Sequence, residues 1–207
     1  MAGEAWPTLL ARYIGAIGAV AVAVLAIWGD WFRFKLLRPP LALQVRAPAG
    51  HFTFNNGTPA FYCHVTVTNR RPWTPARGAR VLCTRIQRRL PGGTWKEEPD
   101  FLPVALERAF PAVNPVPADI VTEDICTLGF VEKGGAAFWL KTQITPRNFD
   151  GCVRVNEAIR VHFVIHAANY SSRTPSVVEI GWDGQWSDQA EEMLHHLTVR
   201  LVAGEDA

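Results

Sequence analysis

The chain has 207 residues, with 21 Lys or Arg against 19 Asp or Glu, for a formal net charge of +2. Its 48% hydrophobic content, without a low-complexity stretch or long polar linker, excludes a disordered or many-module chain. The four cysteines, Cys63, Cys83, Cys126 and Cys152, lack any C-x-x-C spacing, which excludes a zinc knuckle and a dithiol redox motif.

The first element is an uncharged apolar run from Tyr13 to Gly29, framed by Arg12 before it and by Arg33, Lys35 and Arg38 after it. With its apolar approaches from Leu9 to Phe32 it exceeds about 20 residues, enough at 1.5 Å each for a hydrocarbon core of roughly 30 Å. The run predicts one N-terminal transmembrane helix. Trp6 and Tyr13 near one end and Trp28, Trp31, Phe32 and Phe34 near the other suit the headgroup layers. A cleaved secretory signal fits less well, because the segment runs into bulky aromatics and not into a small-residue cleavage site. The Lys/Arg excess on the C-terminal flank places the following domain in the cytoplasm, the alternative being a periplasmic or extracellular domain. Ala11, Gly15, Ala19 and Ala23 recur on one helix face, a seam through which two copies could pair as a homodimer.

Pro39-Pro40 stops the helix, since proline lacks the amide donor and disfavours helical geometry in the residue before it. The chain therefore divides into residues 1–38 (tail, helix and basic juxtamembrane segment) and 39–207, a single domain. Most of that domain alternates with period two, the mark of strands with one buried face. Leu41, Leu43 and Val45 make the first strand, and Phe61, Cys63, Val65 and Val67 the second. Residues 79–89 form a third, whose alternation slips between Cys83 and Ile86 as a β-bulge would make it. Short strands follow around Val104–Leu106, Ile125–Val131 and Phe138–Ile144, separated by proline-rich loops such as PAVNPVPAD. The strongest strand runs from Ile159 to Ala167, followed by Val178, Ile180 and Trp182. Asp183-Gly184 predicts a two-residue hairpin that pairs Trp182 with Gln185. Asp188 and Glu191 predict a capping pair for a short helix to about His195, and Leu197, Val199 and Leu201 a closing strand.

The stretches HVTVTNRRPWTPARGARVLCTRI and IRVHFVIHAANYSSRTPSVVEIGW resemble the bacterial immunoglobulin-like modules, in which a strand of alternating valines leads through an Asn- or Ala-bearing loop into the next strand. The resemblance implies a mainly β fold, an antiparallel immunoglobulin-like β-sandwich, and a role in adhesion, presentation or assembly. No cysteine lies in the Ile159–Ala167 strand, so the inter-sheet bridge of antibody domains is absent.

Candidate sites are few. His162 and His166 have a metal-like spacing, but on a strand at about 3.3 Å per residue their Cα atoms stand roughly 13 Å apart, too far for one ion. No G-x-S-x-G, phosphate loop or EF-hand spacing occurs, and no cofactor is indicated. Cys63 and Cys83 fall in register with core residues and read as small apolar side chains. Asn56-Gly57-Thr58 and Asn169-Tyr170-Ser171 match the glycosylation sequon, which matters only for an exported domain.

The best lead is the arginine-rich stretch Arg70, Arg71, Arg77, Arg80, Arg85, Arg88 and Arg89, which with Arg33, Lys35 and Arg38 offers a surface for membrane lipid of the anionic kind. Only Trp73 interleaves with these arginines, so nucleic acid ranks below lipid. Trp182 and Trp186 flank Asp183-Gly184 as hairpin anchors or as a sugar-stacking platform. The sequence reading is thus a membrane-anchored, non-catalytic protein-interaction or scaffolding module with an unknown protein partner. Its alternatives are an extracytoplasmic carbohydrate-binding module and a membrane-tethered enzyme whose site is assembled from distant residues.

Overall fold

The computed structural model describes residues 6–36, 39–99, 103–110, 116–145 and 152–202. It divides into two compact units, Met1–Arg38 and Pro39–Ala207. In the first, helix α1 runs from Trp6 to Leu36. The apolar side chains of Leu10, Ile14, Ile17, Val20, Val22, Val24 and Ile27 on it are exposed. Among the described residues, however, no helix is long and apolar enough to cross a membrane. This corrects the expected transmembrane segment: the uncharged run is 17 residues, short of the about 20 that a hydrocarbon core requires. Trp31, Arg33 and Lys35 lie on α1 with side chains outside the description, and Arg38 lies outside the described residues.

The second unit is mainly β and antiparallel. Its elements are β1 (Leu41–Asn55), β2 (Thr58–Asn69), β3 (Ala76–Arg89), β4 (Trp95–Glu97), β5 (Val104–Ala105), β6 (Glu107–Arg108), β7 (Ala118–Ile120), β8 (Glu123–Glu132), β9 (Ala137–Leu140), β10 (Cys152–Arg154), β11 (Glu157–Ala167), β12 (Tyr170–Ser171), β13 (Ser176–Trp182), α2 (Ala190–His196) and β14 (Leu197–Val202). One sheet has the order β1-β2-β8-β9-β10, with β6 also on β8. The other has the order β14-β13-β11-β3-β4, with β12 on β11 and β5 and β7 on β3.

The alternation explains why these strands share one core. Phe61, Cys63, Val65 and Val67 of β2 gather in a single apolar cluster with Val81, Cys83 and Ile86 of β3 and with Ile159, Val161, Phe163 and Ile165 of β11. Each such side chain, fully removed from water, contributes roughly 1.5–3 kcal/mol before the entropy of ordering is counted. The slip in β3 is a bulge. His162 pairs with Arg85 and Phe163 with Cys83, leaving Thr84 as the extra residue, so that Cys83 and Ile86 both point inward.

Three local expectations are corrected. First, β1 does not stop at Val45 but continues to Asn55 and folds back at Asn56-Gly57 into β2, with Asn55 opposite Thr58. Both turn residues have positive φ, 48° and 86°, as a two-residue hairpin needs. Second, Asp183-Gly184 closes no hairpin: Trp182 pairs with Leu197, and α2 lies between the two strands. The Asp183 carboxylate instead accepts the Gln185 N–H at 2.8 Å, a local turn that steers the chain away from the sheet. Third, the residue capping α2 is Gln189, without a side-chain cap, because the Asp188 carboxylate is engaged by Lys133 Nζ at 2.8 Å and Trp186 Nε1 at 2.8 Å.

The strands define two ends of the domain. At the proximal end β1 begins, β2 finishes at Asn69, β3 begins and β11 finishes. At the distal end Arg88 and Arg89 of β3 meet Ile159 and Trp95, and Trp182 meets Glu157 and Leu197. The length of β3 separates the two ends by roughly 40 Å at about 3.3 Å per residue.

Candidate functional site

On the outer face of the second sheet, at its distal end, the strands form an open groove of about 850 Å³. Gly181 of β13 contributes no side chain to its floor, and Ala158 and Thr198 flank that position. One wall is the β3–β4 turn, where Gly92 and Gly93 have φ of 107° and 88°, values that L side chains rarely adopt. The other is the segment around Asp183 and the end of α2, which brings His195 and His196 to the rim.

The groove is polar, and its carboxylates are engaged. Glu179, buried on β13, accepts from Arg160 Nε at 3.1 Å and from Arg200 Nη2 at 2.7 Å. Arg160 in turn lies over the Trp95 ring, 4.3 Å from its centroid. Glu157 is paired with Arg88, whose Nε also reaches Glu98 at 2.8 Å. Asp183 faces His196 Nδ1 at 2.8 Å. Partial burial works against the Asp183 charge, but the hydrogen bonds from His196 and from the Gln185 N–H outweigh it and hold this carboxyl below its usual range. What the groove offers outward is therefore the Arg89 side chain, the far side of the Arg200 guanidinium and the His195 imidazole.

The Asp183–His196 contact has the arrangement that orients an imidazole in hydrolytic triads, with the carboxylate on Nδ1. No serine or cysteine lines the groove for Nε2 to activate, Thr198 being its one side-chain hydroxyl. Among the described residues no group of three His, Cys, Asp or Glu is placed to hold a metal ion.

The structure disperses most of the residues singled out by sequence. The arginine stretch splits into three. Arg70, Arg71, Arg77 and Arg80 are exposed towards the proximal end; Arg85 and Arg88 are half-buried against Glu97, Glu98 and Glu157; Arg89 is exposed at the groove. The basic face expected along β3 is thus interrupted between Arg80 and Arg89, because Glu97 of β4, Glu98 just after it and Glu157 of β11 pair with Arg85 and Arg88. Trp182 is 2% exposed, which corrects the sugar-platform reading: its ring belongs to the core and has no face for a ligand. Trp186 packs on Phe52, ring centroids 5.6 Å apart, as an anchor for the β13–α2 segment. His162 is buried beside Gln87 at 3.0 Å and His166 is exposed, while His64 lies in the other sheet. On α1, Tyr13, Gly15, Ala19, Ala23 and Trp28 are exposed or half-exposed, and nothing lies within 4 Å of the position a Gly15 Cβ would take. Cys63, Cys83 and Cys126 are buried, and burial pushes the Cys63 and Cys126 thiols up to about 12 and raises that of Cys83.

Sequence reasoning missed an aromatic row on the outer face of the first sheet. His51, Tyr62, Phe130 and Trp139 are direct cross-strand partners on β1, β2, β8 and β9. Tyr62 stacks on Phe130 at 5.0 Å, and His51 stacks on His64 at 4.8 Å. The Tyr62 hydroxyl is raised above its ordinary value by burial, then by Glu132 and Glu107. His64 Nε2 lies 3.1 Å from His51 Nδ1, and burial, then His51, then Arg46 lower the His64 pKa to about 4. The signal existed in the alternate positions Tyr62 and His64, but the register that aligns them with residues some 70 positions away is a tertiary property.

The described domain is a mainly β protein of two antiparallel sheets with a polar groove at one end. Neither a family model, nor a curated protein, nor a solved structure matches the chain.

Proposed function

We propose that this protein is a non-catalytic interaction module of the immunoglobulin-like class, held at a membrane by α1, and that its distal groove takes a polar segment of a protein partner. The groove carries the proposal. Small-molecule pockets are mostly apolar and enclosed, whereas this one is open, with paired carboxylates below and cationic side chains at the rim, a surface suited to a charged peptide segment.

Support for the sandwich class lies in the strand order. The series β1-β2-β8 in one sheet and β3-β11-β13 in the other matches the A-B-E and C-F-G series of immunoglobulin sandwiches. Support for the membrane lies in the uncharged run and in the exposed apolar side chains of α1, which a water-facing helix would not retain. The basic residues Arg33, Lys35 and Arg38 after the apolar run support a cytoplasmic, anionic leaflet as the surface on which α1 rests.

The test is crosslinking in cells of the full-length chain followed by identification of the retained protein, with Arg89→Glu and Arg200→Glu in the groove and Arg80→Glu outside it. The two groove variants should reduce retention of one specific partner by tenfold or more, and Arg80→Glu should not. Equal retention by all three, or no partner with the native chain, would overturn the reading. Resistance of the chain to alkaline extraction from membranes tests the role of α1 separately, and paired reporter fusions test the side.

A further inference from the structure

The loop between β2 and β3 presents the most exposed aromatic side chain of the described β-domain. Trp73 is 77% exposed, and Arg70, Arg71 and Arg77 around it are exposed as well. An indole left in water is unfavourable, and a flexible loop would fold it down. This loop is not free to do so, because it is wrapped around the buried side chain of Asn69. Asn69 Nδ2 donates to the Thr74 carbonyl at 2.9 Å and to that of Ile120 at 3.3 Å, while Oδ1 accepts the Arg71 N–H at 2.9 Å. The Thr74 N–H closes the turn on the Arg71 carbonyl at 2.9 Å, and Thr74 itself is buried. Pro72 and Pro75 stiffen both arms. The fold therefore holds Trp73 outward.

Its location gives that exposure a meaning. The loop sits at the proximal end, where the Arg70 N–H donates to the Pro40 carbonyl at 3.2 Å. Pro40 follows Leu36, the last residue of α1, by only four positions in the sequence. The cations flanking the indole outnumber the acids nearby: Asp119 accepts the Gly78 N–H at 2.8 Å, and Glu123 opens β8. An exposed indole with an apolar body and a polar N–H, set among guanidinium groups, matches the headgroup layer of an anionic bilayer, where tryptophan inserts and arginine meets phosphate.

We propose that Trp73, with Arg70 and Arg77, forms a lipid-contact surface that seats the proximal end of the β-domain on an anionic leaflet. The inference rests on the reading that α1 holds the chain at a membrane. Seated in this way, the domain directs its groove away from the lipid, towards a partner in solution.

The experiment uses the full-length protein reconstituted into vesicles of brominated phosphatidylcholine, with and without phosphatidylglycerol, and reads tryptophan quenching for the native chain and for Trp73→Phe. The difference between the two chains isolates Trp73 from the tryptophans of α1. In anionic vesicles the native chain should show additional quenching that Trp73→Phe lacks. Arg70→Glu combined with Arg77→Glu, or high salt, should reduce it several-fold. Equal quenching of the native chain and Trp73→Phe would overturn the proposal, as would a Trp73 contribution of the same size in vesicles without phosphatidylglycerol. Flotation of the same samples separates the two levels of inference: a chain that does not float with vesicles refutes the membrane reading itself, while one that floats with Trp73 unquenched refutes only the seating.

Discussion

Acid should weaken this domain through one identifiable histidine. His64 is buried on β2 against His51, and its pKa is lowered from 6.5 to about 4, with burial the largest cause, then His51, then Arg46. The folded state therefore prefers the neutral ring. Between those two values the unfolded chain binds the proton more readily than the native one, so stability due to this group is complete above pH 6.5 and is lost as pH falls towards 4. At about 1.36 kcal/mol per pH unit the loss is on the order of 3 kcal/mol, which for a domain of this size corresponds to a melting shift on the order of 10 °C. The assay is thermal unfolding of the full-length protein in detergent, followed by near-ultraviolet circular dichroism at several pH values from 7.5 to 4, for the native chain and His64→Gln. The variant should melt lower at neutral pH, having lost the ring stack, but its midpoint should fall less steeply with acid. The His162 ring, also lowered by burial and neighbouring arginines, contributes in the same direction in both chains and cancels in the difference. Parallel curves for the two proteins would refute the reasoning.

Three further outcomes are expected. Arg108 is 5% exposed and its Nε meets the half-buried Asp124 at 2.9 Å, so Arg108→Ala should cost about 2–4 kcal/mol in denaturant unfolding by leaving that carboxylate without its cation, and Arg108→Leu with Asp124→Leu should recover part of that loss. At Gly129 an added Cβ would collide with the Trp139 carbonyl and the Phe138 ring across the β8–β9 pair, so Gly129→Ala should destabilise by about 1–3 kcal/mol where an exposed control, Ala136→Ser, changes the midpoint little. Cys63, Cys83 and Cys126, buried and with raised thiol pKa values, should resist alkylation at neutral pH until denaturant is added; mass-spectrometric detection of rapid native-state labelling would contradict their burial.

Strand content was legible wherever one face is buried, because period-two alternation is a direct record of which side chains meet the core. It located β2, β3 with its bulge, β11, β13 and β14 to within a few residues. It faltered where local turn chemistry competes. Asn56-Gly57 and Asp183-Gly184 carry the same kind of hairpin signal, yet only the first closes a hairpin, since the second is followed by a segment that α2 and the Trp186–Phe52 contact draw away from β13. The groove was not legible at all. Arg89, the Gly181–Asp183 stretch and His196 come from three separate segments, and no spacing rule connects them.

Composition and alternation by themselves determined an antiparallel β-domain after Pro39, a helical segment before it, and Cys63 and Cys83 as small core residues, because each of these follows from local periodicity. Only the tertiary structure decided how the arginines divide, since the charge of a strand face depends on which acids the neighbouring strands bring opposite it. Glu97, Glu98 and Glu157 neutralise Arg85 and Arg88 of β3 and leave Arg77, Arg80 and Arg89 exposed. The same dependence on register turned Trp182 inward, set His64 against His51, and held Trp73 outward on a loop built around Asn69.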